Sequence, residues 1–518
     1  MIPGWGSGLA VDGLSTVLLV TLGFVLAAVL AYAAGDGFGA RFHVLVLLFA
    51  AAMAVTVTAS DLLLLLMGWE VMGAMSYALI GYVWADAERV RSADIAFLTT
   101  RAADMGLYAA AGFAVAGAHS LRLDALAEAD TPWRDLIAAG VVVSALGKSA
   151  QLPFSFWLSR AMAGPTPVSA LLHSATMVVA GAYLLLRLRP LLDATGWAGT
   201  AVAWAGALTA LLLGAVALAQ RDVKQLLAAS TCAQIGFMVL GAGAGSVDGG
   251  AAHLVAHAAV KSLLFLCAGV WLTRGGSNRL VDVAFGVGAV ALAGVPPLSL
   301  WVTKDAVLPG VGERSPALLA VAFAASVLSA AYAGRLLLRL LRPAGRVPVP
   351  LSQRIPLAGL AAGAAGLGAL GLSSKLEFHA WELVLSGVLA VVTVGVVVAV
   401  RRVPEPAWAL DWLWIERAVA VVVVRPLVVA ARALARFDDQ VVDGAVRGIA
   451  RGGLWTAGLT GRRVEIPMDG LVSIVGRAAR GLGALARRPQ TGQLHMYLAQ
   501  AAVVFAVLAV IAVLAGAG

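Results

Sequence analysis

The feature that most constrains this chain is a series of apolar segments, each about as long as a bilayer is thick. A helix that crosses a membrane needs roughly 20 apolar residues, and on that measure the sequence predicts about fourteen spans. Of the 518 residues, 61% are hydrophobic and 13% are charged. Soluble proteins have about 45–50% and about 25%, respectively. We therefore predict an all-α polytopic membrane protein.

The predicted spans are Val11–Ala34, Phe42–Thr58, Leu62–Trp84, Asp94–Ala118, Asp135–Leu158, Thr166–Leu188, Ala198–Ala219, Gln225–Ala244, Ala251–Leu272, Val281–Val307, Pro316–Leu341, Leu357–Gly371, Ala380–Val400 and Leu494–Ala517. Loops on the side opposite to the termini are the more basic ones. Because cytoplasmic loops are enriched in lysine and arginine, we expect both termini on the non-cytoplasmic side of a bacterial inner (plasma) membrane.

The net charge of +9 has a membrane explanation. The arginines lie in loops and in one amphipathic region, so we expect contact with lipid headgroups and no nucleic-acid partner. Cys232 and Cys267 lie in apolar runs without a CxxC spacing, which favours small core residues. The sequence contains no Fe–S or haem motif, and we expect neither a cofactor nor a metal in this chain. The N-terminus lacks the basic region of a signal peptide.

Residues 403–490 differ from the rest. Arginines recur among Val, Leu and Ala at intervals that suit one helical face; they are Arg417, Arg425, Arg432, Arg436, Arg447 and Arg451. We predict a long amphipathic helix, interrupted near Pro426, Pro467 and Gly452–Gly453. It either lies on lipid or braces neighbouring subunits, and a further span after it favours the second reading. The predicted domains are a membrane core (1–402), this lateral segment (403–490) and an anchor helix (491–518).

Two apolar segments combine a lysine with a helix-breaking proline. Lys148 is followed by Pro153, and Lys304 follows Pro296–Pro297. Broken helices persist at membrane depth only inside protein or beside water. Two such segments about five spans apart suggest repeated halves with a path at the breaks.

Ionisable residues inside apolar spans indicate an ion or proton path. Glu70 has no charged neighbour in its span, and we predict that it pairs with Lys148, either as a switch or as a static salt bridge. Asp104 lies three residues after Arg101, on the same helical face. That spacing suits either a self-neutralising pair or a carboxylate that modulates the Glu70–Lys148 pair.

Further candidates follow towards the C-terminus. His253, His257 and Lys261 are spaced four residues apart on one helical stripe, which favours proton transfer over metal binding because the lysine would repel a cation. His173 is an intramembrane histidine. Lys304, beside Asp305, is the candidate for release of the proton or part of a membrane-edge pair. Lys224 either snorkels outwards or points into the bundle. Hydroxyl and amide groups between these residues suit water, and they belong to Ser174, Thr176, Ser230, Thr231 and Gln234.

The segment GKSAQLPFSFWLSRAMAGPTPVSALLHSATMVVAGAYL (residues 147–184) resembles the antiporter-like, proton-translocating subunits of complex I and of Mrp cation/proton antiporters. Further blocks match at residues 62–82, 221–238 and 253–266, and the tail resembles the distal, L-type subunit of complex I. The resemblance implies two inverted five-helix repeats with broken helices. The family pattern also has two helices before the one that matches Val11–Ala34.

The resemblance assigns roles to the candidates. It places the family's charged pair on Glu70 and Lys148, the modulating acid on Asp104, the central stripe on His253, His257 and Lys261, the cytoplasmic-edge lysine on Lys224 and the distal lysine on Lys304. It implies a proton-translocating subunit of a NADH:quinone oxidoreductase in the electron transport chain, with flavin, Fe–S clusters and quinone in partner subunits. The alternatives are a Na⁺/H⁺ antiporter subunit, and a module that couples to, or braces, a hydrogenase or an inorganic-carbon-uptake complex.

Overall fold

The structure is a computed structural model that describes residues 8–174, 176–341, 345–372 and 376–516. It divides into two compact units, Met1–Arg417 and Ala418–Gly518. Helices make up most of the described residues, and eleven of these helices are long and apolar enough to cross a membrane. The prediction of a mostly helical polytopic protein is therefore confirmed. The last predicted span ends at Ala517, which lies outside the described residues.

The helices of the first unit are α1 (Gly13–Ala34), α2 (Ala40–Thr58), α3 (Leu62–Ile80), α4 (Ala87–Gly117), α5 (Trp133–Lys148), α6 (Phe156–Ala161), α7 (Thr166–Leu172), α8 (Met177–Arg187), α9 (Arg189–Ala194), α10 (Ala198–Ala219), α11 (Val223–Ala244), α12 (Val247–Arg274), α13 (Arg279–Ala293), α14 (Ser299–Asp305), α15 (Leu308–Arg314), α16 (Pro316–Leu340), α17 (Leu351–Leu372), α18 (Ala380–Val400) and α19 (Ala407–Leu410). Many begin where a side chain accepts hydrogen bonds from the first turn. Asp61, Asp222 and Asn278 cap α3, α11 and α13 in this way.

Three apolar segments are broken into two helices each. The break between α5 and α6 contains Pro153, and the break between α13 and α14 contains Pro296–Pro297, as predicted. The break between α7 and α8 was not predicted, because residues 173–176 contain neither proline nor glycine. The two proline-containing breaks leave helices too short to cross a membrane, and the eleven long apolar helices include the run Trp412–Arg487, which was not a predicted span.

Short contacts show which loops share an end of the bundle. At one end Leu9 pairs with Ala59, Asp61 pairs with Arg122, and Arg187 approaches Asp12 at 3.3 Å. At the other end two parallel strands, β1 (Gly276–Ser277) and β2 (Gly345–Arg346), join the segments after α12 and α16. The helices therefore run alternately between the two ends, as the span prediction requires.

Glycines allow two neighbouring helix pairs to approach backbone to backbone. A methyl group added at Gly106 on α4 would lie 2.6 Å from Gly140 O on α5. A methyl group added at Gly206 on α10 would lie 2.5 Å from Gly236 O on α11. Because real methyl groups do not come so close to a carbonyl oxygen, these crossings have room only for glycine.

The second unit is a continuous run of helical turns followed by α24 (Leu494–Ala515). The run contains α20 (Ile415–Val419), π-turns at Ala420–Val424, α21 (Arg425–Phe437), π-turns at Asp438–Val442, α22 (Asp443–Thr460), π-turns at Gly461–Glu465 and α23 (Ile466–Arg487). Pro426 and Pro467 each follow a π-turn within one or two residues, so the helix widens before the proline instead of ending. The predicted interruption at Gly452–Gly453 is wrong, because α22 passes through it.

Candidate functional site: a row of buried ionisable side chains

Lys148, the last residue of α5, forms a buried ion pair with Asp104 on α4. Its Nζ lies 3.0 Å from Asp104 Oδ2, and the two side chains are 0% and 3% exposed. Asp104 Oδ1 accepts hydrogen bonds from Trp69 Nε1 at 2.6 Å and from Ser144 Oγ at 3.4 Å. The Lys148 ammonium also lies 5.0 Å from the centre of the Trp69 ring, a distance suited to a cation–π contact. Asp104 is therefore held by donors from two neighbouring helices, α3 and α5.

Glu70 on α3 forms its ion pair with Arg101 on α4, not with Lys148. The predicted Glu70–Lys148 pair is therefore wrong, and so is the alternative in which Arg101 and Asp104 neutralise each other. The physical reason is the rotation of α4, which directs Arg101 towards α3 and Asp104 towards α5. Lys148 Nζ nevertheless lies beside α3, since a methyl group at Gly73 would be 3.5 Å from it. Glu70 precedes Gly73 by one helical turn.

Gln151 links the Lys148 region to the centre of the bundle. It lies in the break after α5, and its Nε2 donates to Ser149 O at 2.9 Å and to Cys232 O on α11 at 3.3 Å. Two residues before Cys232 on the same helix is Ser230. The break after Lys148 thus places the Gln151 amide against α11, the helix that also contacts Lys261.

Lys261 on α12 is fully buried and donates to neutral oxygens. Its Nζ lies 2.5 Å from Ser230 Oγ and 3.2 Å from Leu227 O, both on α11. No carboxylate of the described residues forms an ion pair with it. Lys261 can therefore bind or release a proton without breaking a salt bridge.

His253 lies between two helices that supply both of its hydrogen-bond partners. Its Nε2 is 3.1 Å from Gln234 Oε1, and its Nδ1 is 3.2 Å from Thr303 Oγ1. The Gln234 amide nitrogen donates to Tyr332 OH and Ser329 Oγ, so its oxygen faces the imidazole and Nε2 carries the hydrogen.

Thr303 allows His253 to exist in either charge state with satisfied hydrogen bonds. When the imidazole is neutral, the Thr303 hydroxyl can donate to Nδ1. When it is protonated, Nδ1 donates, and the hydroxyl can turn to Ser299 O, which lies 3.1 Å away. A single rotation about the hydroxyl bond thus accompanies gain or loss of the proton.

His257 lies one turn from Lys261 on the same stripe of α12. Its Nδ1 donates to Ser174 O at 3.0 Å, which leaves Nε2 as an acceptor in the neutral ring. Ser174 Oγ lies 2.7 Å from Ser262 Oγ, so the break between α7 and α8 is held against α12. His173, in the same break, lies between the rings of Trp157 and Phe265.

The nitrogens Nε2 of His257 and both ring nitrogens of His173 are buried, and no described residue forms a hydrogen bond with them. Buried polar atoms of this kind are normally satisfied by ordered water. Such atoms suit a water-linked path through this part of the bundle, which the hydroxyl and amide groups around them also line.

Lys304 and Asp305 on α14 are both buried but have different neighbours. Lys304 Nζ lies 5.9 Å from the centre of the Phe237 ring, and a methyl group at Gly294 would come within 2.9 Å of it. Asp305 Oδ2 accepts a hydrogen bond from Ser386 Oγ on α18. The alternative of a membrane-edge Lys304–Asp305 pair is therefore not what the structure contains. Thr303, which contacts His253, immediately precedes Lys304.

A cavity of about 510 Å³ connects this region to one end of the bundle. It is lined by Thr303 and by Ala252 and Ala256 of α12, and it reaches the exposed carboxylate of Asp248. Asp248 lies in the first turn of α12, at the end of the bundle where α11 finishes and α12 begins.

Lys224 is half buried and points into the bundle. Its Nζ donates to Met162 O at 2.6 Å and to Gly164 O at 2.8 Å. These carbonyls belong to the end of α6 and the loop after it, where a cation is favoured by the helix dipole. Of the two predicted orientations, the inward one is observed, at the end of the bundle opposite to Asp248.

With this geometry established, the chain can be compared with known proteins. Residues 59–329 match the family model described as "NADH:quinone oxidoreductase/Mrp antiporter, TM". The chain belongs to this family. The match includes every candidate residue from Glu70 to Lys304, and it confirms the family that the sequence motifs indicated.

Named relatives come from both branches of the family. NADH-quinone oxidoreductase subunit L of Escherichia coli is 38% identical over 333 residues, and the match covers 59% of this chain and 54% of that protein. NAD(P)H-quinone oxidoreductase chain 5 of a Picosynechococcus species is 31% identical over 439 residues, and the match covers 72% of this chain and 66% of that one. The solved Mrp complex from Dietzia sp. contains a chain with 27% identity and a TM-score of 0.67, and the match covers 93% of this chain and 56% of that one. The chain thus spans about half to two thirds of these relatives.

The structure adds residues that the sequence analysis did not single out. Trp69 and Ser144 hold Asp104, Gln151 links Lys148 to α11, and Thr303 contacts His253. Ser386, which contacts Asp305, could have been found from the sequence. It lies four residues after Glu382 in an otherwise apolar span. No comparable signal distinguishes Gln151 or Trp69, because polar and aromatic residues beside a break have many structural uses.

Proposed function

We propose that this chain is a proton-translocating membrane-arm subunit of a complex I-type NADH:quinone oxidoreductase. Family membership supports the class of protein. The observation that carries the proposal is the row of buried groups that runs from Glu70 and Lys148 through Lys261, His257 and His253 to Lys304. In this row the ionisable side chains are separated by hydroxyl, amide and carbonyl groups, which can relay protons together with water.

The first proposed step is an exchange of partners at Lys148. In the resting arrangement its ammonium is neutralised by Asp104, while Glu70 is neutralised by Arg101. A charge displacement that draws Arg101 away would leave Glu70 unpaired, one helical turn from Gly73, which lies beside Lys148. The ammonium would then be attracted towards Glu70, and this movement changes the electrostatic potential at Gln151 and Lys261.

The second proposed step is transfer along α12. Lys261 releases its proton towards His257, and His253 passes a proton to the cavity through the Thr303 hydroxyl. Lys304, the next residue, repels a proton that has reached this point and so favours its release. His173 lies beside this path, and Lys224 lies at the opposite end, where a proton could be taken up.

We further propose the orientation that the basic loops favour, with both termini on the non-cytoplasmic side. Arg41, Arg160 and Arg221 then face the cytoplasm with Lys224, whereas Asp248 and the cavity beside Thr303 open to the other side. A bacterial inner membrane is the expected location. Release at Asp248 would make the movement outward, as a proton pump requires.

The fold proposed for the family is two inverted five-helix repeats within a core of residues 1–402, with about fourteen spans in the whole chain. The two proline-containing breaks are the corresponding elements of the halves. The helical run through Arg487 is the proposed lateral segment (403–490), with a contour on the order of 100 Å. It would contact other antiporter-like and membrane-arm subunits, and α24 would serve as the anchor within residues 491–518.

In this proposal the chain is one part of an oxidoreductase and carries no redox centre itself. Flavin, Fe–S clusters and quinone would be bound by partner subunits. The free energy would reach this chain as a displacement of charge at its interface with a neighbouring subunit.

The test is the proton-to-electron ratio of the isolated complex in vesicles that carry Lys148→Ala. We expect electron transfer to continue and the ratio to fall, because the step at Lys148 is lost. Arg91→Gln is the matched control, since Arg91 is an exposed basic residue of α4 outside the row. A ratio equal to that of the unmodified complex in Lys148→Ala would reject the relay.

The likeness to the Mrp complex supports a second candidate function, exchange of Na⁺ for H⁺. The two proposals differ in the source of free energy. Sodium flux driven by a pH gradient alone, in vesicles without any electron donor, would favour the exchanger over the redox-driven pump.

A further inference from the structure

A second cavity lies at the end of the bundle opposite to Asp248. It has a volume of about 350 Å³ and is formed where α11 begins and where α16 and α18 end. In a chain that crosses a membrane, helix ends lie near the level of the lipid headgroups. Its lining includes no member of the row of buried ionisable groups, and the proposed proton path does not pass through it.

The lining is strongly basic. Four arginines contribute to it, and one acidic residue, Glu405, accompanies them; the arginines are Arg221, Arg335, Arg339 and Arg401. Glu405 accepts hydrogen bonds from Arg221 at 2.7 Å and from Arg335 at 2.6 Å. Arg335 also donates to Leu218 O at 2.7 Å. One carboxylate thus serves two guanidinium groups, and positive charge remains in excess.

Arg401 contributes charge from an unusual backbone conformation. It caps α18 with a φ of 56°, in the left-handed region where glycine is the usual residue. Its side chain lines the cavity, and no described residue forms an ion pair or a side-chain hydrogen bond with it. The position therefore supplies a guanidinium to the cavity that the described part of the chain does not neutralise.

Apart from Gln220, the rest of the lining is apolar. It consists of Val223 and Leu226 of α11, Leu336 and Leu338 of α16, and Val403 in the segment after α18. A ligand that fits must combine an anionic end with a hydrocarbon part. A free phosphate ion would satisfy the arginines but would leave the leucine wall uncovered.

We propose that this cavity binds the headgroup of an anionic phospholipid. The phosphate would lie between Arg221 and Arg401, and an acyl chain would pack against Leu338 and Val403, the apolar lining residues that are partly exposed. Basic pockets between helix ends on the cytoplasmic side are suited to such headgroups. The arginines provide bidentate donors to phosphate oxygens, which lysines do not.

The test uses the full chain, purified in detergent with the subunits that remain attached, and native mass spectrometry with added phosphatidylglycerol or phosphatidylcholine. We expect phosphatidylglycerol to bind in preference, and Arg401→Gln and Arg221→Gln each to weaken it about fivefold, the effect of about one basic residue at a membrane surface. Arg402→Gln is the matched control, because Arg402 is the exposed neighbour of Arg401 but does not line the cavity.

A third variant, Val403→Trp, fills the apolar part of the cavity without changing its charge, and we expect it to reduce lipid binding as well. Circular dichroism of the helices identifies any variant that fails to fold. If an arginine variant fails, Val403→Trp still tests whether lipid occupies this cavity. Equal weakening by Arg402→Gln and Arg401→Gln would reject the site in favour of general surface attraction. Displacement of the lipid by millimolar inorganic phosphate would reassign the cavity to a free anion, and a bound polypeptide in place of lipid would reassign it to a partner protein.

Discussion

Replacement of Asp104 by asparagine is expected to destabilise the fold through one buried charge. The substitution keeps the size of the side chain and an oxygen that can accept from Trp69 Nε1, but it removes the negative charge 3.0 Å from Lys148 Nζ. Lys148 is completely buried, so water cannot replace the lost carboxylate. Removal of one partner of a buried ion pair costs about 3–5 kcal/mol. The unfolding equilibrium constant should rise by roughly two to four powers of ten.

The assay is equilibrium unfolding of the full chain in mixed micelles, titrated with sodium dodecyl sulfate and followed by helical circular dichroism. Asp124→Asn is the control, because Asp124 also pairs with an arginine but both side chains are about two thirds exposed, at 64% and 66%. Water screens that pair, and we expect no measurable loss of stability from its removal. Adding Lys148→Met to Asp104→Asn should recover most of the lost stability, since no unpaired charge then remains.

The same titration distinguishes Asp104 from Glu70 as the partner of Lys148. A double-mutant cycle between Asp104 and Lys148 should give a large coupling free energy, whereas a cycle between Glu70 and Lys148 should be close to additive. The reasoning is refuted if Asp104→Asn and Asp124→Asn have the same small effect. It is also refuted if Lys148→Met rescues Glu70→Gln but does not rescue Asp104→Asn.

Three further predictions concern other contacts. Arg101→Gln should bring Glu70 and Lys148 into interaction, so that their double-mutant coupling rises by roughly 1 kcal/mol; additivity in that background would contradict the proposed exchange of partners. Gly206→Ala should lower the free energy of unfolding by about 1–3 kcal/mol, because the added methyl group meets α11. Gly23→Ala is the control and should not destabilise the chain, because no atom lies within 4 Å of its added methyl group. Equal effects of the two substitutions would reject the close crossing. Hydrogen bonds from Arg335 and Arg221 lower the pKa of Glu405 below the ordinary glutamate value of 4.5. The resulting stabilisation, below about 1 kcal/mol for a partly exposed group, is present above that value and is lost as the pH falls through the lowered pKa. Glu405→Gln should therefore remove this part of the pH dependence in unfolding titrations between neutral and acidic pH.

The sequence predicts the helical breaks that proline causes and misses the one that tertiary contacts cause. Pro153 and Pro296–Pro297 lie in apolar segments, and helices end before each of them. The break between α7 and α8 has no such signal. There His257 takes the carbonyl of Ser174 as its acceptor, and Ser174 contacts Ser262 on the neighbouring helix. Only the packed bundle provides these partners, so no local pattern could predict the break.

The candidate residues were predictable from the sequence, but their pairing was not. An ionisable residue in an apolar span is conspicuous wherever it lies. Which acid faces Lys148, however, depends on the rotation of α4 about its axis. Arg101 and Asp104 are three residues apart, or about 60° around the helix. A rotation of that size exchanges which of them faces α3 and which faces α5, and the spacing alone does not determine it.

The glycine crossings described above bear on how a mechanical signal would pass through this protein. At Gly106–Gly140 and at Gly206–Gly236 the main chains of two helices touch. Because no layer of side chains separates the two helices, each pair should move as one rigid body. A displacement of one helix in the plane of the bilayer would be passed to its partner with little loss. The break after Lys148 directly follows α5, one of these paired helices, and bending would concentrate there, beside a titratable side chain.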